Sequence, residues 1–375
     1  MLIEVHMLKN YPPVNLNRDD SGAPKSCFFG GVQRGRISSQ CLKRSWRTSD
    51  VFHSLGSKGI RTRKLPELVA EKLLAMGVAP DLVEEARIKM TGIANKEGKT
   101  TTDGQTAQIV FYSEAEIEQV SKRVYEMITE DGDLKTFKKR SPKDFAAMEK
   151  DAKLNPISAD IALFGRMVTS PYFMNIDASM QVAHAISTHA VNRESDYYTA
   201  MDDLLKAGEE TGAGMIGDTD YNSCCYYEYA SIDTDALREN LKNSPERDEL
   251  IERLIPVLLQ AMAFTNPTGK QNTFAGQILP SMVMIECKTD KIPLSYVNAF
   301  ETPVATWGSN PKIVENSIRK FVEYVDRMDD AYGLSLVKRG YFAPGYETIA
   351  PGKCEFFGKY KDLLDACAHW IRGEQ

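Results

Sequence analysis

Between Asn17 and Arg47 the chain reads NRDDSGAPKSCFFGGVQRGRISSQCLKRSWR, with seven Lys or Arg against Asp19 and Asp20. The sign of the charge therefore reverses within a chain whose net charge is −6. Such a local reversal of sign is what a polyanion-binding strip looks like.

The end of the tract has helical order. Ser38 stands where a hydroxyl caps a first turn, and Gln40, Lys43, Arg44 and Arg47 then follow at i, i+3, i+4 and i+7, which puts them on one face. Cys41, Leu42 and Trp46 fall on the other face and can pack inward. Free N–H groups at the helix start would add to the anion site. Upstream, Arg18, Lys25, Arg34 and Arg36 extend the strip, with Gly30, Gly31 and Gly35 giving its loop freedom.

A length of 375 residues with 42% hydrophobic content supports a substantial core, in one elaborated domain or two. The seven cysteines include the adjacent Cys224 and Cys225 but form no CxxC pair. An odd count without zinc spacing suits reduced thiols in a cytoplasm. The opening MLIEVHMLKN lacks the pattern of a secretory leader, and no run reaches membrane-spanning length. No metal and no cofactor is expected.

Leu2 to Lys9 alternates as a strand does, and a long Gly-containing loop leads to the helix at Ser39. Pro156 to Met167 alternates too, with Ile157, Ala159, Ile161 and Leu163 on one side. Asn222 to Ile232 reads as a strand, Glu246 to Phe264 as a helix and Ser281 to Cys287 as an apolar strand. The order β, α, β, β, α, β predicts an α+β, ferredoxin-like (RRM-like) core, although the aromatic signature of RNA-recognition domains is absent and the architecture hosts many functions. Residues 49–154 interrupt it with helical stretches at Pro66–Met76, Leu82–Asn95 and Ala107–Thr129. Residues 192–221, containing Gly208, Gly212, Gly214 and Gly217, read as a loop or long hairpin. Residues 1–48, 155–191 and 222–375 form the core, closed by helices at Pro311–Asp330 and Lys361–Arg372.

Several chemistries lack their signature. His184 and His189 in HAISTHA are five apart, so they diverge on a strand or a helix and cannot share one ion. HExxH, GxxxxGK and GxSxG are missing. Other residues suit nucleic acid. The turn Thr268 to Phe274, TGKQNTF, presents Lys270 and Gln271 as further contacts to a strand. Arg166 and Met167 end a strand candidate, and Tyr197, Tyr198 and Thr199 open the inserted loop. A Met or Tyr beside a basic groove can wedge between nucleotides. Lys135, Lys138, Lys139, Arg140 and Lys143 form a second cluster suited to duplex DNA.

In order, NRDD, FFGG, RISSQCLKR, GRMVTS, HAISTHAV, TGKQNTFA and PLSYVNAF resemble the motifs of the CasC family. That family, within the RAMP superfamily, supplies the repeated backbone subunit of Cascade, the type I-E CRISPR surveillance complex. The resemblance runs from the first strand to beyond Phe300. It implies that the core is a palm, residues 49–154 the fingers and 192–221 a protruding β-hairpin thumb. It implies a non-enzymatic subunit that polymerises head to tail along CRISPR RNA, beside other Cascade subunits, and presents the spacer to target DNA for antiviral defence. Arg18, Lys25, Lys43, Arg44 and Arg47 would then neutralise phosphates, while Ser38 and Gln40 would hydrogen-bond the RNA backbone. Met167 and Tyr198 would straddle a flipped nucleotide, and Thr199 would contact the adjacent strand. The alternative is a RAMP-type RNA endonuclease that uses Asp19 or Asp20.

Overall fold

A computed structural model of the chain describes residues 1–93, 99–141, 144–145, 156–170, 172–200, 215–308, 311–334 and 336–373. Its strands are β1 Leu2–Val14, β2 Ser26–Phe29, β3 Val32–Ile37, β4 Gly59–Thr62, β5 Val110–Ser113, β6 Met180–Val182, β7 Ala185–Ser187, β8 Glu194–Ala200, β9 Met215–Asp233, β10 Met282–Lys288, β11 Leu336–Phe342 and β12 Glu355–Phe356. The chain divides into one unit of Met1–Phe52, Val182–Ser231 and Ile255–Gln375 and another of His53–Gln181 and Ile232–Leu254.

The first unit is built on a large mixed sheet in the order β12-β11-β10-β1-β9-β7-β3-β2. β1 pairs antiparallel with β10 from Leu2↔Lys288 to Leu8↔Met282, and β11 pairs parallel with β12. The alternation in β1 is real, yet both faces are covered, because Glu4, His6 and Lys9 are buried along with Ile3, Val5 and Met7. Each of these three ionisable groups has a partner, as burial requires. Lys288 Nζ lies 2.5 Å from Glu4, His6 Nε2 lies 3.3 Å from Glu286, and Lys9 Nζ lies 3.5 Å from Glu228. Burial alone would raise the Glu286 carboxyl, but His6, Arg339 and Lys288 hold it well below the usual carboxylate range. One face packs Leu8, Tyr227, Met282 and Met284 against Ile318, Phe321 and Val325 of the helix Ile313–Tyr332.

The loop expected between the first strand and the first helix contains a hairpin. Phe29 pairs with Val32 across Gly30 and Gly31, whose φ angles are +60° and +77°. Two successive positive-φ residues make the tight turn that matches strand twist, and glycine adopts it without strain. The helix that follows, α1 (Ser39–Arg47), is the one expected.

The second unit packs the helices Leu65–Ala75, Pro80–Met90 and Glu114–Asp131 around Val69, Leu73, Met90, Val120, Val124 and Phe137, beside the β4/β5 ribbon. The helix Glu114–Asp131 begins with a reciprocal cap. Ser113 Oγ accepts from Glu116 N at 3.1 Å, and the Glu116 carboxylate accepts from Ser113 N at 2.8 Å.

One expected strand is a helix. Within residues 156–167 the structure has a helix at Ala159–Phe164, with Ala159, Ile161, Ala162 and Leu163 all buried. A short apolar run enclosed on every side carries no periodicity that separates strand from helix. Ser158 and Gly165 flank it, types favoured at the two ends of a helix. With this change and the added hairpin, the simple β, α, β, β, α, β order does not hold. Among the described residues no helix is long and apolar enough to cross a membrane.

Candidate nucleic-acid interface

The site is assembled by the loop that leaves β1. Asn15 is buried, and its side-chain amide donates to Gly22 O at 2.9 Å and Asp220 O at 2.8 Å, which ties the loop to β9. Asn17 Oδ1 accepts from Ser38 N at 2.9 Å and fixes the loop to the start of α1. Asp19 closes the turn between them. Its Oδ1 accepts from Ser21 Oγ at 2.7 Å and from Ser21 N and Ala23 N, each at 3.0 Å. The Ser21 hydroxyl leads the contacts that hold this exposed carboxyl below its ordinary range.

On α1, Ser38 caps the first turn by accepting from Cys41 N at 3.3 Å. Leu42, Ser45 and Trp46 are buried, while Gln40 and Arg44 are exposed and Lys43 and Arg47 half-buried. The side expected to face solvent does so, but Ser38 does not belong to it. Its hydroxyl serves the cap and its side chain is buried, so it is a support of the helix start rather than an RNA contact.

A cleft of about 490 Å³ runs between these pieces, lined by Arg18, Asp19 and Asp20 on one side, Arg44 and Thr48 on another, and Thr268 and Gly269 on a third. The turn Thr268–Lys270 can approach this closely because position 269 has no side chain. A Cβ there would lie 2.3 Å from Leu16 O and 2.6 Å from Asn15 O. Lys270 sits at the edge of that turn. Gln271 folds back, its amide donating to Pro267 O at 2.9 Å, and so buttresses the turn.

Of the tract's cations, Arg34 is withdrawn from the surface. It is fully buried, and its guanidinium donates to Phe29 O (3.1 Å), Ser187 O (2.9 Å), Phe300 O (2.7 Å) and Glu301 O (3.1 Å). Arg36 stays on the surface, donating to Ser26 O at 3.3 Å with Nη1 3.0 Å from His184 Nδ1. Burial, then the charges of Arg36, Lys25 and Lys43, lower the His184 pKa. His184 therefore reports a cationic cluster at the edge of the strip. His189 is a different residue in kind, buried with Nε2 accepting from Cys225 N at 3.2 Å.

The inserted segment forms a ribbon. β8 pairs antiparallel with β9 from Glu194↔Tyr221 to Ala200↔Met215, and every residue of β8 is exposed. Tyr197, Tyr198 and Thr199 lie on it, and the Tyr198 ring lies over Gly217. The glycines at 208, 212 and 214 lie outside the described residues.

The second unit carries the other expected contacts. Met167 is 91% exposed. Arg166 is not a surface cation: it is buried and forks onto Glu116 at 2.7 and 2.8 Å while donating to Phe111 O and Met174 O. A guanidinium enclosed in this way has no face for phosphate. In the basic cluster, Lys135, Lys138 and Lys139 are exposed. Arg140 is held by Asp131 at 2.6 Å and Glu130 at 3.0 Å, so its charge is neutralised in place. Lys143 lies outside the described residues.

The cleft also recruits residues that sequence reasoning passed over. Asn15 and Asn17 are its scaffold, and Thr48 and Thr268 are on its wall. Asn17 opens the NRDD motif, so its place was visible, but its partner at Ser38 was not. Among the described residues no cluster of three His, Cys, Asp or Glu could hold a metal ion.

A family model described as CT1975-like protein matches residues 3–369. No curated protein matches the chain by sequence. A chain from a structure described as a CRISPR RNA-guided surveillance complex, pre-nicking, is similar at a TM-score of 0.81 and 26% identity, over 99% of this chain and 100% of that one. A second, from a CRISPR RNA-guided surveillance complex, has a TM-score of 0.74 and 22% identity over the same shares, a likeness of fold. By its family model the chain belongs to the CT1975-like protein family, and its fold is similar to that of chains from CRISPR RNA-guided surveillance complexes.

Proposed function

We propose that this chain is the repeated guide-RNA-binding subunit of a type I-E, CasC-like Cascade complex in the cytoplasm. The reading is carried by the cleft in which Arg18 and Arg44 share walls with the Thr268–Gly269 turn. Such a cleft suits a ribose-phosphate chain, with cations for phosphates and short polar groups for the sugar. Arg18, Lys25, Lys43, Arg44, Arg47 and Lys270 neutralise the backbone, Gln40 hydrogen-bonds it, and no base needs to be read. A subunit repeated along a variable spacer can bind in no other way, and sequence is left to pairing between guide and target.

Copies stack head to tail, since a heterologous contact that does not close generates a filament whose length the RNA sets. The sheet serves as the RRM-like palm, the second unit as fingers and the β8/β9 ribbon as a thumb. Met167 and Tyr198 each serve as a wedge against displaced nucleotides, Thr199 contacts the adjacent strand, and Lys135, Lys138 and Lys139 guide target DNA. Holding the spacer in short ordered stretches lowers the entropic cost of pairing.

The subunit binds without cutting. Asp19 completes a turn, an adequate reason for its presence. Purified from cells that express a CRISPR array, the protein retains repeat-spacer RNA at fixed stoichiometry; bulk RNA in its place would reject the reading. A Lys43→Glu/Arg44→Glu variant loses the guide with its melting temperature unchanged. Regularly spaced cuts in complementary RNA with a divalent metal, absent in Asp20→Ala, would make the protein a nuclease instead.

A further inference from the structure

We infer that Arg166 is a positioning residue that aims Met167 outward, an inference that rests on reading Met167 as a wedge against the guide. The two side chains were expected to meet RNA together, and they face opposite ways. Arg166 and Val168 are each 5% exposed, whereas Met167 between them is 91% exposed. Side chains alternate along extended backbone, so burying the two neighbours turns the middle one to solvent.

The backbone on both sides of Met167 is fixed. Arg166 and Ile176 exchange two backbone hydrogen bonds of 2.9 Å, and Val168 N donates to Asn175 Oδ1 at 2.6 Å. The guanidinium then anchors the whole segment. It forks onto Glu116 at 2.7 and 2.8 Å, donates to Phe111 O at 2.8 Å and Met174 O at 3.0 Å, and lies 5.7 Å from the Phe173 ring centroid. Glu116 is itself fixed, because its carboxylate also caps the helix Glu114–Asp131. Strand end, turn and helix start thus converge on one planar cation. A lysine could not replace it, since a single ammonium on a flexible stem lacks the fork. A thioether is soft and has three rotatable bonds. It makes a useful wedge only if its Cα is held, which is what this anchor supplies.

Two variants separate aim from stability. Glu116→Gln keeps a residue able to complete the cap but removes the charge that grips Arg166. Arg166→Met/Glu116→Gln removes the pair together and avoids stranding a buried charge. With the protein labelled uniformly with carbon-13, the Met167 Cα resonance of the RNA-free protein, which reports its extended backbone, should move toward its random-coil position in both variants, and those of the core methionines should stay in place. On a guide carrying 2-aminopurine at each spacer position in turn, the periodic fluorescence enhancement from displaced bases should be lost in both variants and in Met167→Ala, with RNA retention unchanged in the two variants of the buried pair. An unmoved Met167 resonance together with full enhancement in both variants would overturn the positioning role. If Met167→Ala keeps the enhancement, the wedge reading fails, and the Met167 Cα resonance alone then decides for or against Arg166.

Discussion

Two stretches of the molecule concentrate positive charge, and each keeps only part of it at the surface. In the tract of the first unit Arg34 is drawn inside by four backbone carbonyls, while Arg18 and Arg44 line an open cleft. In the cluster of the second unit Arg140 is bound by Asp131 and Glu130, and Lys135, Lys138 and Lys139 remain exposed. Arginine is the cation withdrawn in both, and the reason is physical. Its planar fork of donors and weak hydration let it satisfy several acceptors at once, whereas an ammonium prefers water. A count of cations therefore overstates an interface by the arginines that find acceptors nearby. The tract also gains a second and third wall that turn a charged face into a groove.

Arg34→Ala gives the largest effect that follows. It strips donors from four carbonyls and leaves a cavity, so we expect a loss of about 3 kcal/mol or more, read from the midpoint of urea unfolding. Guide retention should fall only as far as the unfolded fraction rises. A stable Arg34→Ala protein that no longer holds RNA would mean that Arg34 belongs with Arg18 and Arg44, and the contrast within the tract would break.

Arg18→Ala and Arg44→Ala should act the other way, with stability within about 0.5 kcal/mol of the parent. Each should weaken guide binding regardless of sequence and lower the slope of log affinity against log salt by about 1. The test is a salt titration of a labelled guide. An unchanged slope in both would show that the cleft is not where phosphate lies.

These outcomes bear on what the sequence made legible. α1 could be read because its cap, its cationic side and its apolar side all lie within ten consecutive residues, and the structure repeats that pattern in Ser38, Arg44 and Trp46. The hairpin Ser26–Ile37 was legible in principle from Gly30-Gly31 between two aromatics and a valine, but the charge on either side made the segment look like a loop. Arg34 and Arg166 could not be read at all. Their acceptors at Ser187, Phe300 and Glu116 are far away in the chain, and nothing local marks which arginine will meet them. The helix at Ala159–Phe164 was misread for a related reason, since its burial on all sides is set by distant packing.

In the second unit, Lys138→Ala/Lys139→Ala should reduce capture of duplex DNA by the assembled complex several-fold at low salt and lower the salt slope by about 2, with guide loading intact. Arg140→Ala should leave the slope nearly unchanged and cost about 1 kcal/mol of stability. Equal effects of the lysines on DNA and on guide would remove the division of labour between the two cationic stretches.

The smallest expected effect lies at the edge of the tract, at His184. In the RNA-free protein Arg36 Nη1 donates toward its Nδ1 at 3.0 Å, so the neutral ring carries its proton on Nε2. Burial, then the repulsion that a proton on Nδ1 would meet from Arg36 and the charges of Lys25 and Lys43, keeps the His184 pKa below its ordinary 6.5. A phosphate seated among the same cations would neutralise them and raise that pKa. The bound form would then hold more proton than the free form at pH values between the two pKa values, so affinity should increase as pH falls through that window and be level above it. His184→Gln should flatten the profile, with affinity at pH 8 nearly unchanged. A measured rise of a few-fold between pH 7.5 and pH 5.5, absent in His184→Gln and suppressed by salt, would extend the ribose-phosphate path from the cleft to Arg36. A flat profile in the parent protein would end the path at Arg44 and leave Arg36 as a cation without an RNA contact.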